Sequence, residues 1–252
     1  MSKSRLAFRR VLLKLSGESL ATKSGFGIDT ESLEEVVGEI ATLCERGLDV
    51  AVVVGGGNIV RGERTSSKTK IERVTADCMG MMGTVINALA LRSALNSHGI
   101  DARVMSALSL VAMCELYNRD QALAHLEKKR VLILACGTGN PYFTTDTAAA
   151  LRASELNCDV LVKATTVEGI YDSDPKQNAD SQIVKEISYH DVLADDLRIM
   201  DHAAIALARD SDIPILVCSF SKPRAVLEAL SGEGTFSVIR SPNLSKPIEQ
   251  ST

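Results

Sequence analysis

Three loops carry the side chains best suited to chemistry, and each follows a short apolar run. They are Lys14-Leu15-Ser16-Gly17-Glu18, then Gly55-Gly56-Gly57-Asn58 with Arg61, and then Gly137-Thr138-Gly139-Asn140-Pro141 through Thr144-Thr145-Asp146. Glycine lets an anion approach backbone N–H groups closely, and a following helix adds its positive dipole end. The chemistry such loops suit is the binding of phosphate. Taken singly, each has a plainer reading. Gly55 to Gly57 also suits a tight strand-to-helix turn, and Lys14 suits a lysine that extends its ammonium to solvent. Asp146 and Asp77 each stand where a helix N-cap would, and Asp201, beside His202, reads as a solvated acid within a helical pattern. His98, His125, His190 and His202 are scattered, so they suggest neither a triad nor a metal site.

Elements that could position these loops are legible around them. Strands are expected at Val11–Leu15, Asp49–Val54, Arg103–Ser106, Val131–Cys136, Asp159–Lys163 and Ile213–Cys218. Helical spacing appears after Asp29 or Thr30 as far as Gly47, from about Asp77 to His98, and around 119–128, 146–157 and 200–210. Short apolar strands alternating with helices predict an α/β fold: a three-layer α/β/α sandwich with a mostly parallel central sheet. In such a sheet ligands bind beyond the carboxyl ends of the strands, where all three loops fall.

Composition narrows the classes further. The chain has 252 residues, and residues 1–240 are expected to form a single domain followed by a flexible tail over 241–252. Aromatic residues make up 4% and Trp is absent, which disfavours a base-stacking surface, and a net charge of −4 has the wrong sign for a protein held on nucleic acid. The six cysteines form no C-x-x-C pair, and no run approaches the roughly 18 apolar residues of a membrane helix. A reduced, cytoplasmic protein without a membrane segment is expected. No G-x-x-x-x-G-K-[ST] and no G-x-G-x-x-G occurs, which argues against a P-loop enzyme and a nicotinamide-dependent dehydrogenase.

Several motifs occur together in a fixed order: LLKLSGE (Leu12–Glu18), GFGID (Gly25–Asp29), VVVGGGN followed by Arg61-Gly62, AD-x-MGM (Ala76–Met81), GTGNPYFTTD (Gly137–Asp146), KAT (Lys163–Thr165), GIYDSDP (Gly169–Pro175) and MD-x-AA (Met200–Ala204). With these motifs the chain resembles the bacterial uridylate kinase family of the amino acid kinase superfamily, from Arg10 to about Ile239. The resemblance implies an amino acid kinase-like fold whose N-terminal part mainly serves UMP and whose C-terminal part mainly serves ATP. It implies reversible transfer of the ATP γ-phosphoryl group to UMP, in pyrimidine nucleotide biosynthesis, with Mg²⁺ accompanying ATP and no metal ligand of the protein's own.

Carried over residue by residue, the resemblance places Lys14, Leu15, Ser16 and Gly17 around the ATP phosphates, with Gly57 and Arg61 near the point of transfer. Thr165, Tyr171 and Asp174 fall where the nucleoside part of ATP is held. The UMP pocket comprises Gly56, Asp77, Thr138, Gly139, Asn140, Pro141, Tyr142, Phe143, Thr144 and Thr145. Lys14, Arg61 and Asp146 are the catalytic candidates, with Asp201 in support. Thr22, Lys23, Ser24, Gly25, Phe26 and Gly27 match a region linked to activation by GTP; a homohexamer inhibited by UTP is implied as well. The loop between Arg61 and Asp77 is one residue longer than in the family, and the segment beyond Ile239 has no counterpart there. Related kinases that phosphorylate the carboxylates of acetylglutamate, glutamate or aspartate share the glycine loops, and a nucleotide sensor or oxyanion-storage protein is an alternative on the same scaffold.

Overall fold

The computed structural model describes residues 6–61, 66, 67, 69–165, 167–173, 178, 180–197, 199–220 and 222–242. Its centre is the strand β1 (Arg10–Leu15), fully apolar except for Arg10 and Lys14. A short 3-10 turn (Gly17–Leu20) leads on to helix α1 (Thr30–Glu45), which Asp29 caps by accepting from Ser32 N. Next come β2 (Asp49–Val54), α2 (Arg73–Ser97), β3 (Ala102–Ser106), β4 (Glu115–Leu116), α3 (Arg119–Glu127) and β5 (Val131–Ala135). The second half runs α4 (Thr145–Glu155), β6 (Val160–Thr165), β7 (Ile170–Tyr171), β8 (Ile183–Val184), β9 (Glu186–Ile187), α5 (Tyr189–Ala194), α6 (His202–Asp210), β10 (Ile215–Ser219), α7 (Ala225–Leu230) and β11 (Phe236–Ile239).

The described strands form a nine-stranded sheet in the order β4-β3-β5-β2-β1-β6-β10-β11-β9, plus a separate β7–β8 ribbon. Every pairing in the large sheet is parallel except β10 with β11. Alternation along β1 sends Val11, Leu13 and Leu15 to one face, where they pack with α1, α2 and α7. Leu12 goes to the other, against α3, α4 and α6. This is the expected three-layer α/β/α sandwich.

Some boundaries differ from those expected. α2 begins at Arg73 rather than at Asp77, so Asp77 is not its cap. The strands β4, β7, β8, β9 and β11 and the helices α5 and α7 are additions to the elements expected from sequence; most are too short to show a period. α2 is, by length and composition, apolar enough to cross a membrane, although no unbroken apolar run announces it. Forty-four per cent of its apolar stretch is buried, and Thr84 and Asn87 point into the fold. Most of the expected tail, 243–252, lies outside the described residues.

Candidate active site

The chain leaves β1 toward β2, β5 and β3 on one side and later returns with β6 and β10 on the other, so β1 is where the strand order reverses. That reversal opens a crevice at the carboxyl ends of the strands. Lys14 stands there, one residue before the end of β1, and its register partner in β6 is Lys163. In-register neighbours of parallel strands project to the same face, and here that is the face covered by α4. Thr144 caps α4 by accepting from Asp146 N at 3.0 Å. Asp146 is therefore not the cap: it sits in the first turn with its carboxylate between the two lysines.

The Lys14 Nζ lies 2.6 Å from Asp146 Oδ1, and Lys163 Nζ donates to Oδ2 at 2.8 Å. Lys163 also donates to the carbonyl of Ile199. Lys14 is only 8% exposed, so it is not the solvent-reaching lysine of the plainer reading. Burial pushes the Asp146 carboxyl up, but the charges of Lys14 and Lys163 outweigh it and hold the group below its ordinary 3.8. Burial depresses Lys163 below its ordinary 10.5 against the opposing pull of Asp146. Two ammonium groups thus share one carboxylate, and positive charge is left facing the crevice.

Asp201 secures this arrangement from behind. It is the N-cap of α6, accepting from Ala204 N at 2.9 Å, rather than a solvated acid within that helix. It also accepts from the hydroxyls of Thr144 and of Thr147, the latter at 2.8 Å. The start of α4, and with it Asp146, is tied to a second helix.

The glycine loops bring three backbones together. A Cβ on Gly17 would lie 2.4 Å from Asn58 Oδ1 and 2.8 Å from Gly57 N, and one on Gly56 would lie 2.5 Å from Gly80 O. Neither position admits a side chain without a clash, which fits the tight-turn reading of Gly55 to Gly57. Leu15 contributes backbone, since its side chain is in the core and its carbonyl accepts from Gly55 N at 2.8 Å. Ser16 precedes the 3-10 turn and shares a 3.3 Å hydroxyl contact with Ser19. Arg61 is ion-paired with Glu18, and its Nε donates to Gly57 O at 3.4 Å.

A cavity of about 150 Å³ opens between this loop, α2 and the segment following β5. Gly56, Asp77, Thr138, Asn140, Phe143 and Thr145 all border it. Asp77 is held by Arg73 Nε at 2.8 and 2.9 Å and by Tyr142 N at 2.9 Å. Of the other residues expected there, Gly139, Pro141, Tyr142 and Thr144 do not line the cavity. Gly139 and Tyr142 shape the loop through positive φ, +82° and +70°, and Thr144 serves as the α4 cap.

Thr165 ends β6, and its carbonyl accepts from Phe220 N at 2.8 Å; Tyr171 lies in the β7–β8 ribbon. They stand on the β6 side of β1, away from the cavity on the β2 side. Asp174 lies outside the described residues. The Thr22–Gly27 segment is a turn in which Thr22 Oγ1 donates to Phe26 O at 2.7 Å and contacts Ser24 Oγ, while Lys23 and Gly25 lie between these anchors. Sequence reasoning named Lys163 only within a motif and passed over Arg73 and Thr147. A pointer to Lys163 was present, because a second lysine stands in the corresponding strand position beside Lys14. Among the described residues no three His, Cys, Asp or Glu side chains are grouped to hold a metal ion.

The model of the Amino acid kinase family matches residues 9–219. Uridylate kinase of Campylobacter concisus is 47% identical over 234 residues, covering 92% of this chain and 98% of that protein. Uridylate kinase of Roseobacter denitrificans is 49% identical, covering 93% and 96%. The crystal structure of UMP kinase from Bacillus anthracis superimposes with a TM-score of 0.90 at 37% identity, covering 93% of this chain and 97% of that one. The chain therefore belongs to the amino acid kinase family and, within it, to the uridylate kinases.

Proposed function

We propose that this protein transfers the γ-phosphoryl group of ATP to UMP, reversibly, giving ADP and UDP for pyrimidine nucleotide biosynthesis. The observation that carries the reading is the pair of ammonium groups, buried Lys14 and partly buried Lys163, sharing Asp146 at the strand-order reversal. In phosphoryl transfer the protein has little covalent chemistry to perform, and rate comes from alignment and from charge placed on the equatorial oxygens. The UMP phosphate is already an anionic nucleophile, so no general base is needed. Lys14, Lys163 and Arg61 offset the repulsion between two polyanions. Arg61 leaves Glu18 to do so.

On this reading Lys14 to Gly17 and Gly57 cradle the ATP phosphates, and Thr165, Tyr171 and Asp174 hold its nucleoside. The cavity beside Asp77 receives UMP, with Asp77 accepting from the ribose hydroxyls and the Thr138–Thr145 loop closing over the base. The donor set fits a Mg²⁺ that arrives on the nucleotide and retains its waters. Asp146 is the residue that would face it, as the carboxylate set between Lys14 and Lys163 at the crevice. When bound, the ion supplies further neutralisation of phosphate charge. The same reading extends to a cytoplasmic homohexamer activated by GTP through Thr22–Gly27 and inhibited by UTP.

The test is ADP release from Mg-ATP with UMP, CMP, acetylglutamate, glutamate or aspartate as separate acceptors. Turnover with UMP is expected, with CMP lower by about 10⁴-fold in kcat/KM because a hydrogen-bonding pocket rejects the wrong edge. Turnover with an amino acid would keep the fold and overturn the substrate. Silence with every acceptor would favour a sensor or storage protein.

A further inference from the structure

Asn58 and Asn87 form a buried amide pair, 1% and 0% exposed, that plays no part in the steps above. Asn87 Nδ2 donates to Asn58 Oδ1 at 2.7 Å, and Asn58 Nδ2 returns a bond to Asn87 Oδ1 at 3.1 Å. The remaining donors go to backbone: Asn87 Nδ2 to Gly55 O and Asn58 Nδ2 to Gly27 O, both at 2.7 Å. Gly27 N in turn donates to Asn58 O at 3.0 Å. All four amide N–H groups and both side-chain carbonyls are therefore satisfied.

Such a network is either made or broken. Shifting one member strands a buried donor or acceptor, which is costly, so small displacements are passed on rather than absorbed. Three separate pieces of chain meet in it: α2 through Asn87, the glycine loop through Gly55 and Asn58, and the Gly25–Gly27 turn through both backbone groups of Gly27. Gly17 presses on the same amide from the fourth side. Movement of the Gly27 turn must carry Asn58 with it, and Asn58 is peptide-bonded to Gly57.

We propose that Asn87 is a positioning residue that, through Asn58, sets the phosphate-facing loop and couples it to the Thr22–Gly27 turn, so that a nucleotide on the loop stiffens the turn. The inference rests on the phosphate-binding reading of Gly55–Gly57. The experiment is amide hydrogen exchange on the full chain with and without Mg-ADP, in wild type and Asn87→Ser, with Asn87→Asp as the second variant should the first not fold. In wild type, Mg-ADP is expected to slow exchange over both 55–61 and 22–29. In the variant the Asn58 side chain that holds Gly27 loses its fixing partner, so protection should persist over 55–61 and fall several-fold over 22–29, with kcat/KM for ATP about tenfold lower, as for other directly coupled neighbours. Protection of 22–29 that survives undiminished in the variant, or that is missing in wild type while 55–61 is protected, overturns the coupling. If Mg-ADP protects neither segment in wild type, the phosphate-loop reading itself fails and the inference falls with it.

Discussion

β1 has an acid set among cations at each end, and the two ends behave differently. At its start, Asp49 is 1% exposed and meets Arg10 at 3.3 Å, Lys129 at 2.6 Å and Arg9 at 3.9 Å. Asp159 accepts from the backbone N–H groups of Arg9 and Arg10 at 2.7 and 2.8 Å, and Arg10 donates to Leu156 O at 2.6 Å. Arg9 and Lys129 keep 79% and 58% of their side chains exposed, so water screens their charge. At the other end the lysine side chains are 10% and 16% exposed, and Asp146 is their only ion-pair partner among the described residues. The first arrangement ties the strand starts together through its acids and acts as a clamp, with the buried Arg10 Nε left without a hydrogen-bond partner. In the second, two lysines share one carboxylate, and it lies where parallel strands deliver their loops. Residue types alone do not separate clamp from site; exposure of the cations and the direction of the strands do.

Breaking the clamp should have the largest effect on stability. Asp49→Ala leaves the largely buried Arg10 guanidinium without its acid, while Arg9 and Lys129 turn to water, and is expected to lower unfolding free energy by about 3 kcal/mol, with kcat of the folded protein unchanged. Urea unfolding alongside turnover checks this, and loss of turnover at unchanged stability would reverse the assignment. Lys14→Ala is the mirror case. Asp146 keeps Lys163 as its partner, so stability should change little, whereas kcat should fall by about 10²-fold or more. Wild-type turnover in that variant would remove Lys14 from the chemistry.

The carboxyl-end cluster also makes a pH prediction. Because Asp146 is held below its ordinary 3.8, its stabilising contribution is fully present above that value and is lost as pH falls through the lower folded one. The stability gap between wild type and Asp146→Asn should stay constant from neutral pH down to about 3.8 and close only below it, as followed by urea unfolding at stepped pH. A gap closing near pH 6 would mean that Asp146 is not held by both lysines. The smallest effect is expected for Arg9→Ala, about 0–1 kcal/mol, since its ion pair is solvent-screened. A larger loss would mean that the clamp depends on its exposed arm as well.

Much of this architecture was legible because β1, β2, β5, β6 and β10 are apolar runs ending in glycine or polar loops. Helix starts were less so: Asp77 and Asp146 both look like caps, but Thr144 takes that position two residues before Asp146, and α2 starts a full turn earlier than its apolar pattern. The short antiparallel strand at Phe236–Ile239 had no period to read. Lys163 needed the β1–β6 register, and the Asn58–Asn87 pair needed a contact across 29 positions. Both are facts of tertiary structure, on which local spacing is silent.

The placement of β1 has a consequence for how the protein is made. Its neighbour β2 follows within 40 residues, but its other neighbour begins only at Val160. A chain emerging from the ribosome can pair β1 with β2 early, yet it leaves the opposite edge of β1 open until β6 and α4 have been synthesised. Such long-range pairing is slow, and the open edge is a hazard while it lasts. It also means that Lys14, Lys163 and Asp146 cannot meet in a partly folded chain, so turnover reports on molecules whose sheet has closed across its middle.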